Sequence, residues 1–460
     1  MSTGAAVERG RAAPANIPSW VTLAALVPTL AAVIGFGGAY SYVWAPVDCA
    51  LFAGLLAFLW QRLLRGQTLA FSALLLPMGA FGALVIAQWL LHLSVYPGAT
   101  LTEFIQLAGC GCVYYLMYNA GRDSNQISSL AWILWLFTGL VATEAIFQYF
   151  SANKQIYWFH NASYAEPVGP YVYHNHYAGC IVLLLPIAIA VACRPQKSRD
   201  PDWITWMRRG IAPALGFASV VIAHSRGGIL ALAFELALTL FVFWRNLRQQ
   251  RRARILLLYG IAVLLGFGFL TNWGVLAQSF SRLGAHDMSY FDRLQIAKAC
   301  YHIFLDHRWV GSGFNTFSTI YPAYQTFATG LLVLQAHNEY AQALAETGLF
   351  GATCVVAFVI LWGRAICRRH RQSGAVRSSF VLQDAAFIGT AGFMIHSVID
   401  FQFHSPANAL LFFLLTAVAT AQSRSHFPPG PRRRNTDSGG TNARASQPKS
   451  ELRSVRIFPS

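Results

Sequence analysis

The fold of this chain is decided by residues 336–363, which read AHNEYAQALAETGLFGATCVVAFVILWG. A group of polar side chains at the start of this stretch runs directly into an apolar segment of the length that crosses a bilayer. His337 therefore stands at the mouth of a predicted transmembrane helix, beside the long segment that precedes it. Such an arrangement is typical of a membrane protein that performs chemistry at the membrane surface. It is less useful to a channel or a carrier.

The apolar character extends over most of the chain. Of the 460 residues, 55% are hydrophobic and 11% are charged, which excludes an ordinary soluble domain. Apolar runs of suitable length predict an all-α polytopic membrane protein with about twelve transmembrane helices. We place these spans at residues 20–40, 46–64, 69–93, 101–118, 127–150, 176–193, 211–224, 227–244, 255–273, 339–363, 381–398 and 406–422.

The basic residues indicate the orientation of these helices. The formal net charge is +16, and most of the 34 lysine and arginine residues fall in segments that the predicted spans place on one side. Because cytoplasmic loops carry the excess of positive charge, this distribution predicts cytoplasmic N- and C-termini. The charge therefore reflects topology, and no nucleic-acid partner is expected.

One long segment, residues 274–337, is predicted to lie on the opposite, outer side. Apolar residues recur within it at helical intervals between 291 and 305, which predicts an amphipathic helix on the membrane surface. Arg293 lies on this helix, and Arg282 precedes it. The outer side is rich in arginine and histidine and poor in lysine, a composition that suits a phosphorylated ligand and proton transfer near neutral pH.

A second candidate element is Ser225-Arg226-Gly227-Gly228, which separates two apolar spans. The short connection holds Arg226 at the membrane surface, and the glycines permit close approach of the backbone. The helix that follows presents free N–H groups and the positive end of its dipole. An arginine beside a helix N-terminus is a good receptor for a pyrophosphate.

His337 is the candidate for proton transfer. Asn338 is a plausible N-cap for the next helix, which leaves His337 just before the helix start. The positive helix end disfavours the imidazolium ion, so the ring is kept neutral, as a general base must be. Glu346 is a carboxylate inside the same predicted span, and a charge there suggests a functional role.

Four further residues on the outer side fit the same site: His174, His176, Asp400 and His404. Together they could supply metal ligands. No single segment has the compact ligand spacing of a metal site, however, so we expect no metal.

The order and spacing of these elements resemble the O-antigen ligase/O-antigen polymerase superfamily of bacterial membrane glycosyltransferases. The residues that carry the resemblance are Ser225-Arg226-Gly227-Gly228, Arg293, Gly311-Ser312-Gly313, His337-Asn338-Glu339-Tyr340 and Glu346-Thr347-Gly348-Leu349-Phe350-Gly351. The resemblance covers the region from residue 170 to residue 420. The first five predicted spans are compatible with it in hydropathy but carry no motif.

The resemblance implies transfer of a glycan from undecaprenyl pyrophosphate to an acceptor hydroxyl at the periplasmic face of the bacterial inner membrane. It implies that Arg226 and Arg293 bind the pyrophosphate, with Arg282 as a second candidate, and that His337 engages the acceptor hydroxyl. The residues expected to support them are Ser225, Asn338, Glu346, His174, His176, Asp400 and His404. The implied acceptors are a glycan, lipid A core or a protein, and membrane lipids are the remaining partners.

Because arginines take the place of a divalent metal, neither a metal nor a cofactor is expected, and attack opposite the leaving group predicts inversion. The predicted organisation has a cytoplasmic tail (1–17), the first membrane helices (18–169), a ligase/polymerase-like core (170–422) with its periplasmic loop, and a disordered cytoplasmic tail (423–460).

Two alternatives stay open. Within the superfamily, ligase, polymerase and protein O-oligosaccharyltransferase differ in their acceptor, which the sequence does not identify. From another class, a transporter or flippase with twelve helices fits the hydropathy. Such folds usually show two similar halves, and this chain shows no repeat.

Overall fold

The computed structural model describes residues 17–151, 155–162, 166–194, 202–249, 290–327, 332–372 and 382–422. In these ranges the chain is all-α apart from one two-stranded hairpin, β1 (Gln155–Ile156) and β2 (His160–Asn161). The helices are α1 (Ser19–Ile34), α2 (Ser41–Leu64), α3 (Leu75–Leu90), α4 (Pro97–Ala120), α5 (Ser124–Ser151), α6 (His174–Ala192), α7 (Asp202–Ile222), α8 (Arg226–Gln249), α9 (Tyr290–Asp306), α10 (Phe317–Ile320), α11 (Glu339–Gln372), α12 (Leu382–His396) and α13 (Pro406–Thr420). Short 3-10 turns occupy Phe36–Gly38, Tyr321–Ala323 and Gln402–His404.

The predicted all-α architecture is confirmed over the described residues. Each predicted span coincides with a helix except 255–273, which lies outside the described residues. Among the described helices, four are long and apolar enough to cross a membrane: Ser41–Leu64, Ser124–Ser151, His174–Ala192 and Glu339–Arg371. The count of about twelve crossings and the periplasmic position of residues 274–337 stay predictions.

Two helices form the centre of the bundle. In α6, 89% of the most apolar window is buried, and nearly every side chain of α13 is buried as well. In a membrane protein an apolar helix can also face lipid, so this burial shows that other helices surround α6 and α13. Accordingly, α6 packs against α5, α7 and α12, whereas α13 packs against α4 and α12. The segment that joins α12 to α13, residues 397–405, is thereby held at one end of the core.

Helix α11 is broken at Gly348, where φ is 60° and ψ is −158°. The loop after α9 forms hydrogen bonds with the backbone groups that the break leaves unpaired. Leu349 and Phe350 donate their N–H groups to the carbonyls of Arg308 (2.8 Å) and Trp309 (3.1 Å). In return, Ser312 donates to the carbonyl of Ala345 at 3.1 Å. Backbone groups freed inside an apolar helix need such partners, so the break and the loop stabilise each other.

Candidate active site

His337 lies just before α11 and forms a pair with Asp400. Its Nδ1 atom is 3.4 Å from Asp400 Oδ1, and the two side chains are 11% and 3% exposed. The imidazole meets the ring of Phe401 edge-on at 4.9 Å. Asn338 Oδ1 accepts the N–H of Ala341 at 2.9 Å and so caps α11. His337 also has a φ of 53°, a left-handed conformation that is uncommon for a non-glycine residue and tends to occur at functional sites.

Asp400 is held ionised in spite of its burial. Burial alone raises the pKa of this carboxyl. The His337 ring 3.4 Å away, with the His396 and His176 rings nearby, outweighs that effect and lowers the pKa to about 2. A buried carboxylate beside an imidazole orients the ring and stabilises the imidazolium ion that proton uptake produces. The pair has the arrangement of a general base and its supporting carboxylate.

Arg293 reaches the same segment from α9. Its Nη1 donates to the carbonyl oxygen of Ile399 at 3.2 Å, one residue before Asp400. Its Nε is buried and has no hydrogen-bond partner among the described residues. A buried donor without a partner is rare in folded proteins and calls for an explanation. Arg282, the second candidate from the loop, lies outside the described residues.

Arg226 begins α8, which packs against the same segment. Ser225 Oγ accepts the N–H of Gly228 at 3.1 Å, so Ser225 caps the helix. A Cβ on Gly227 would lie 2.6 Å from the His396 ring and 3.1 Å from the Ile399 side chain, so only glycine allows this approach. The Arg226 side chain is exposed. The start of α8, α9 and His337 thus all contact residues 396–401.

The other predicted histidines occupy three different positions. The Nε2 atom of His176 is 3.1 Å from the carbonyl oxygen of Phe401, which places this ring at the site. His174 lies further out, with Nδ1 3.8 Å from the Glu166 carboxylate. The Nδ1 atom of His404 lies 3.2 Å from Glu339 Oε1.

The pKa of His404 follows from these neighbours. Burial lowers it, but the charge and hydrogen bond of Glu339, with Glu346 and Glu103 nearby, raise it to about 9. His404 is therefore protonated near neutral pH and lies among carboxylates. A protonated ring cannot serve as the proton acceptor of the site.

Glu346 joins the loop to α11. Its two carboxylate oxygens accept the N–H groups of Asn315 and Phe317, each at 2.9 Å. Gln88 on α3 completes the junction by donating to the carbonyl of Glu346 and accepting the N–H of Phe314. Glu346 therefore does not contact His337 in these bonds but fixes the position of the segment that follows α9.

Sequence reasoning did not single out Gln88 or Phe401. Gln88 is completely buried inside a predicted apolar span, and that contrast was the available signal. Phe401 stands beside Asp400 and contacts both His337 and His176. Its role depends on packing, for which the sequence carried no signal.

Within the described ranges, no group of three or more histidine, cysteine, aspartate or glutamate side chains is arranged to hold a metal ion. The expectation of a reaction without metal stays a prediction.

Residues 211–356 match the family model described as O-antigen ligase. The matched region contains Arg226, Arg293 and His337, so the three residues assigned to chemistry fall within it. This match confirms, over these residues, the resemblance to the superfamily that the sequence motifs indicated. Comparison with curated proteins gives no match.

Proposed function

From the premise that residues 211–356 form an O-antigen ligase domain, we propose that this membrane protein moves a glycan from undecaprenyl pyrophosphate to an acceptor hydroxyl at the periplasmic face of the inner membrane. The observation that carries the proposal is the convergence on residues 396–401. There, the His337–Asp400 pair meets the helix that bears Arg293 and the helix that Arg226 begins.

The arginines act on the leaving group. As the bond between the anomeric carbon and the pyrophosphate oxygen breaks, negative charge develops on the pyrophosphate. The guanidinium groups of Arg226 and Arg293 and the N-terminal N–H groups of α8 stabilise that charge. Loss of one such contact typically costs on the order of 3 kcal/mol of transition-state stabilisation.

His337 acts on the acceptor. The imidazole accepts the hydroxyl proton as the oxygen attacks the anomeric carbon, and Asp400 stabilises the imidazolium ion. Because the attacking oxygen and the pyrophosphate lie on opposite sides of that carbon, the reaction inverts its configuration. The proposed reaction can use a glycan, lipid A core or a protein as the acceptor.

Reconstitution into liposomes with a glycan linked to undecaprenyl pyrophosphate tests the proposal. We expect transfer of the glycan with release of undecaprenyl pyrophosphate, and its loss in His337→Ala. The matched control is His302→Ala, since His302 is an exposed histidine on α9 outside the site. Undiminished transfer by His337→Ala would remove the assigned base.

A further inference from the structure

A second feature adjoins the site: a partly open apolar cavity lined by α2, α3, α4, α11, α12 and α13. Its lining includes Phe81, Leu107, Val355, Phe358 and Leu410. The cavity volume is about 200 Å³, less than the roughly 300 Å³ at which sites for whole small molecules begin. The cavity therefore suits part of a lipid chain and is too small for a glycan.

The cavity extends to the residues that follow His337. Glu339 and Phe403 both line it, and Glu339 Oε1 accepts the N–H of Phe403. Glu339 lies in the first turn of α11, directly after the His337-Asn338 dipeptide. A chain that occupies the cavity thus leaves the polar end of its molecule close to the general base.

The polar groups of the cavity are acidic. Asp48, Glu103 and Glu339 line it, and the described lining residues include no lysine, arginine or histidine. Asp48 Oδ2 is buried without a hydrogen-bond partner among the described residues. Carboxyl oxygens accept hydrogen bonds from hydroxyl groups, whereas a pyrophosphate needs the cationic donors that the described lining lacks.

The two arginines of the candidate active site lie outside the cavity lining. Arg226 and Arg293 belong to α8 and α9, and no described lining residue of the cavity comes from α5 to α9. In the donor, the isoprenoid chain is attached directly to the pyrophosphate, so it must begin at those arginines. The cavity on the Glu339 side therefore remains for the second substrate.

We propose that this cavity takes an alkyl chain of a lipid-anchored acceptor whose headgroup is uncharged and rich in hydroxyls. The carboxyl groups of Glu103 and Asp48 bind headgroup hydroxyls, and the seated chain brings the reacting hydroxyl to His337. This inference rests on the proposed function and narrows its acceptor to a glycolipid.

Two adjacent residues of α11 provide a matched test by kinetics. Val355 lines the cavity, whereas Val356 is 57% exposed on the outside of the bundle. We expect Val355→Phe to raise the KM for a dialkylglycerol glycoside acceptor at least about tenfold, the factor that corresponds to about 1.4 kcal/mol. The KM for the donor and the rate with a water-soluble glycoside without chains stay unchanged, and Val356→Phe changes none of these values. A raised donor KM, or equal effects of both variants, would overturn the inference.

Photolabelling tests the cavity independently of activity. The protein in nanodiscs is irradiated with a dialkylglycerol glycoside that carries a diazirine in one chain, or with a polyprenyl pyrophosphate that carries one. We expect the glycoside to label α4, α11 and α13, and this labelling to fall in Val355→Phe but not in Val356→Phe. Labelling of these helices by the pyrophosphate instead would assign the cavity to the donor. If the glycoside labels the cavity but the protein shows no transfer activity, the proposed function is wrong. The assignment of the cavity to a glycolipid chain is then still supported.

Discussion

At the scale of single residues, the site depends on one buried charge beside one imidazole. Asp400 is 2% exposed and lies next to His337, whose backbone adopts the left-handed conformation. A strained backbone persists only where the surroundings determine it, and here the N-cap of α11 and the segment 396–401 supply the constraint. The pair therefore depends on positioning as much as on the identity of the two side chains.

Asp400→Asn tests that pair. The amide keeps the size of the side chain but removes the charge that stabilises the imidazolium ion. We expect kcat to fall by about two orders of magnitude or more, with little change in the KM for the donor. Asp306→Asn, at an exposed carboxylate of α9, should retain wild-type rates. Initial rates with reconstituted protein check both, and an Asp400→Asn variant of normal kcat would contradict the role of Asp400.

His404 predicts a dependence of stability on pH. Its pKa in the folded protein is raised to about 9, above the usual value of about 6.5. The protonated ring therefore stabilises the fold fully below about pH 6.5, and this contribution is lost as the pH rises through about 9. Thermal unfolding in detergent should show a decline in wild-type Tm across that window and a smaller decline in His404→Gln. Parallel curves for the two proteins would refute the assignment.

At the scale of secondary structure, the break in α11 decides where the loop after α9 is seated. Gly348 has dihedral angles that are essentially reserved for glycine. A Cβ on Gly348 would lie 2.6 Å from the carbonyl carbon of Trp309 and 2.7 Å from the backbone nitrogen of Gly311. The Gly311-Ser312-Gly313 and Glu346–Gly351 motifs are thus two halves of one junction. Their physical role is to position α9 and Arg293.

Gly348→Ala and Gly363→Ala form a matched pair on this helix. A Cβ at Gly348 meets backbone atoms, whereas a Cβ at Gly363 meets nothing within 4 Å. We expect Gly348→Ala to lower the free energy of unfolding by about 1–3 kcal/mol and to increase hydrogen exchange in residues 309–317. Gly363→Ala should be neutral or stabilising, because alanine favours helix. Equal exchange in the two variants would show that the break does not hold the loop.

At the scale of the whole molecule, α8 and α9 bring two arginines to a segment that lies far from both in the sequence. Because both guanidinium groups act on one pyrophosphate in the proposed reaction, their effects should not be independent. Arg226→Ala and Arg293→Ala should each reduce kcat/KM about a hundredfold, and the double variant by less than the product. Lys298→Ala, at an exposed lysine of α9, serves as the control. Strictly multiplicative losses would indicate that the two arginines bind different groups.

The amino-acid sequence by itself determined the helices, the capping of α11 by Asn338 and the resemblance to the superfamily, because hydropathy, capping and motif spacing are local properties of a chain. Only the tertiary structure decided that Asp400 pairs with His337, that His404 turns to Glu339 and that Glu346 holds the loop. These contacts join segments separated by many residues. They depend on how α6 and α13 pack at the centre of the bundle and present residues 397–405 at its end, which no local pattern encodes.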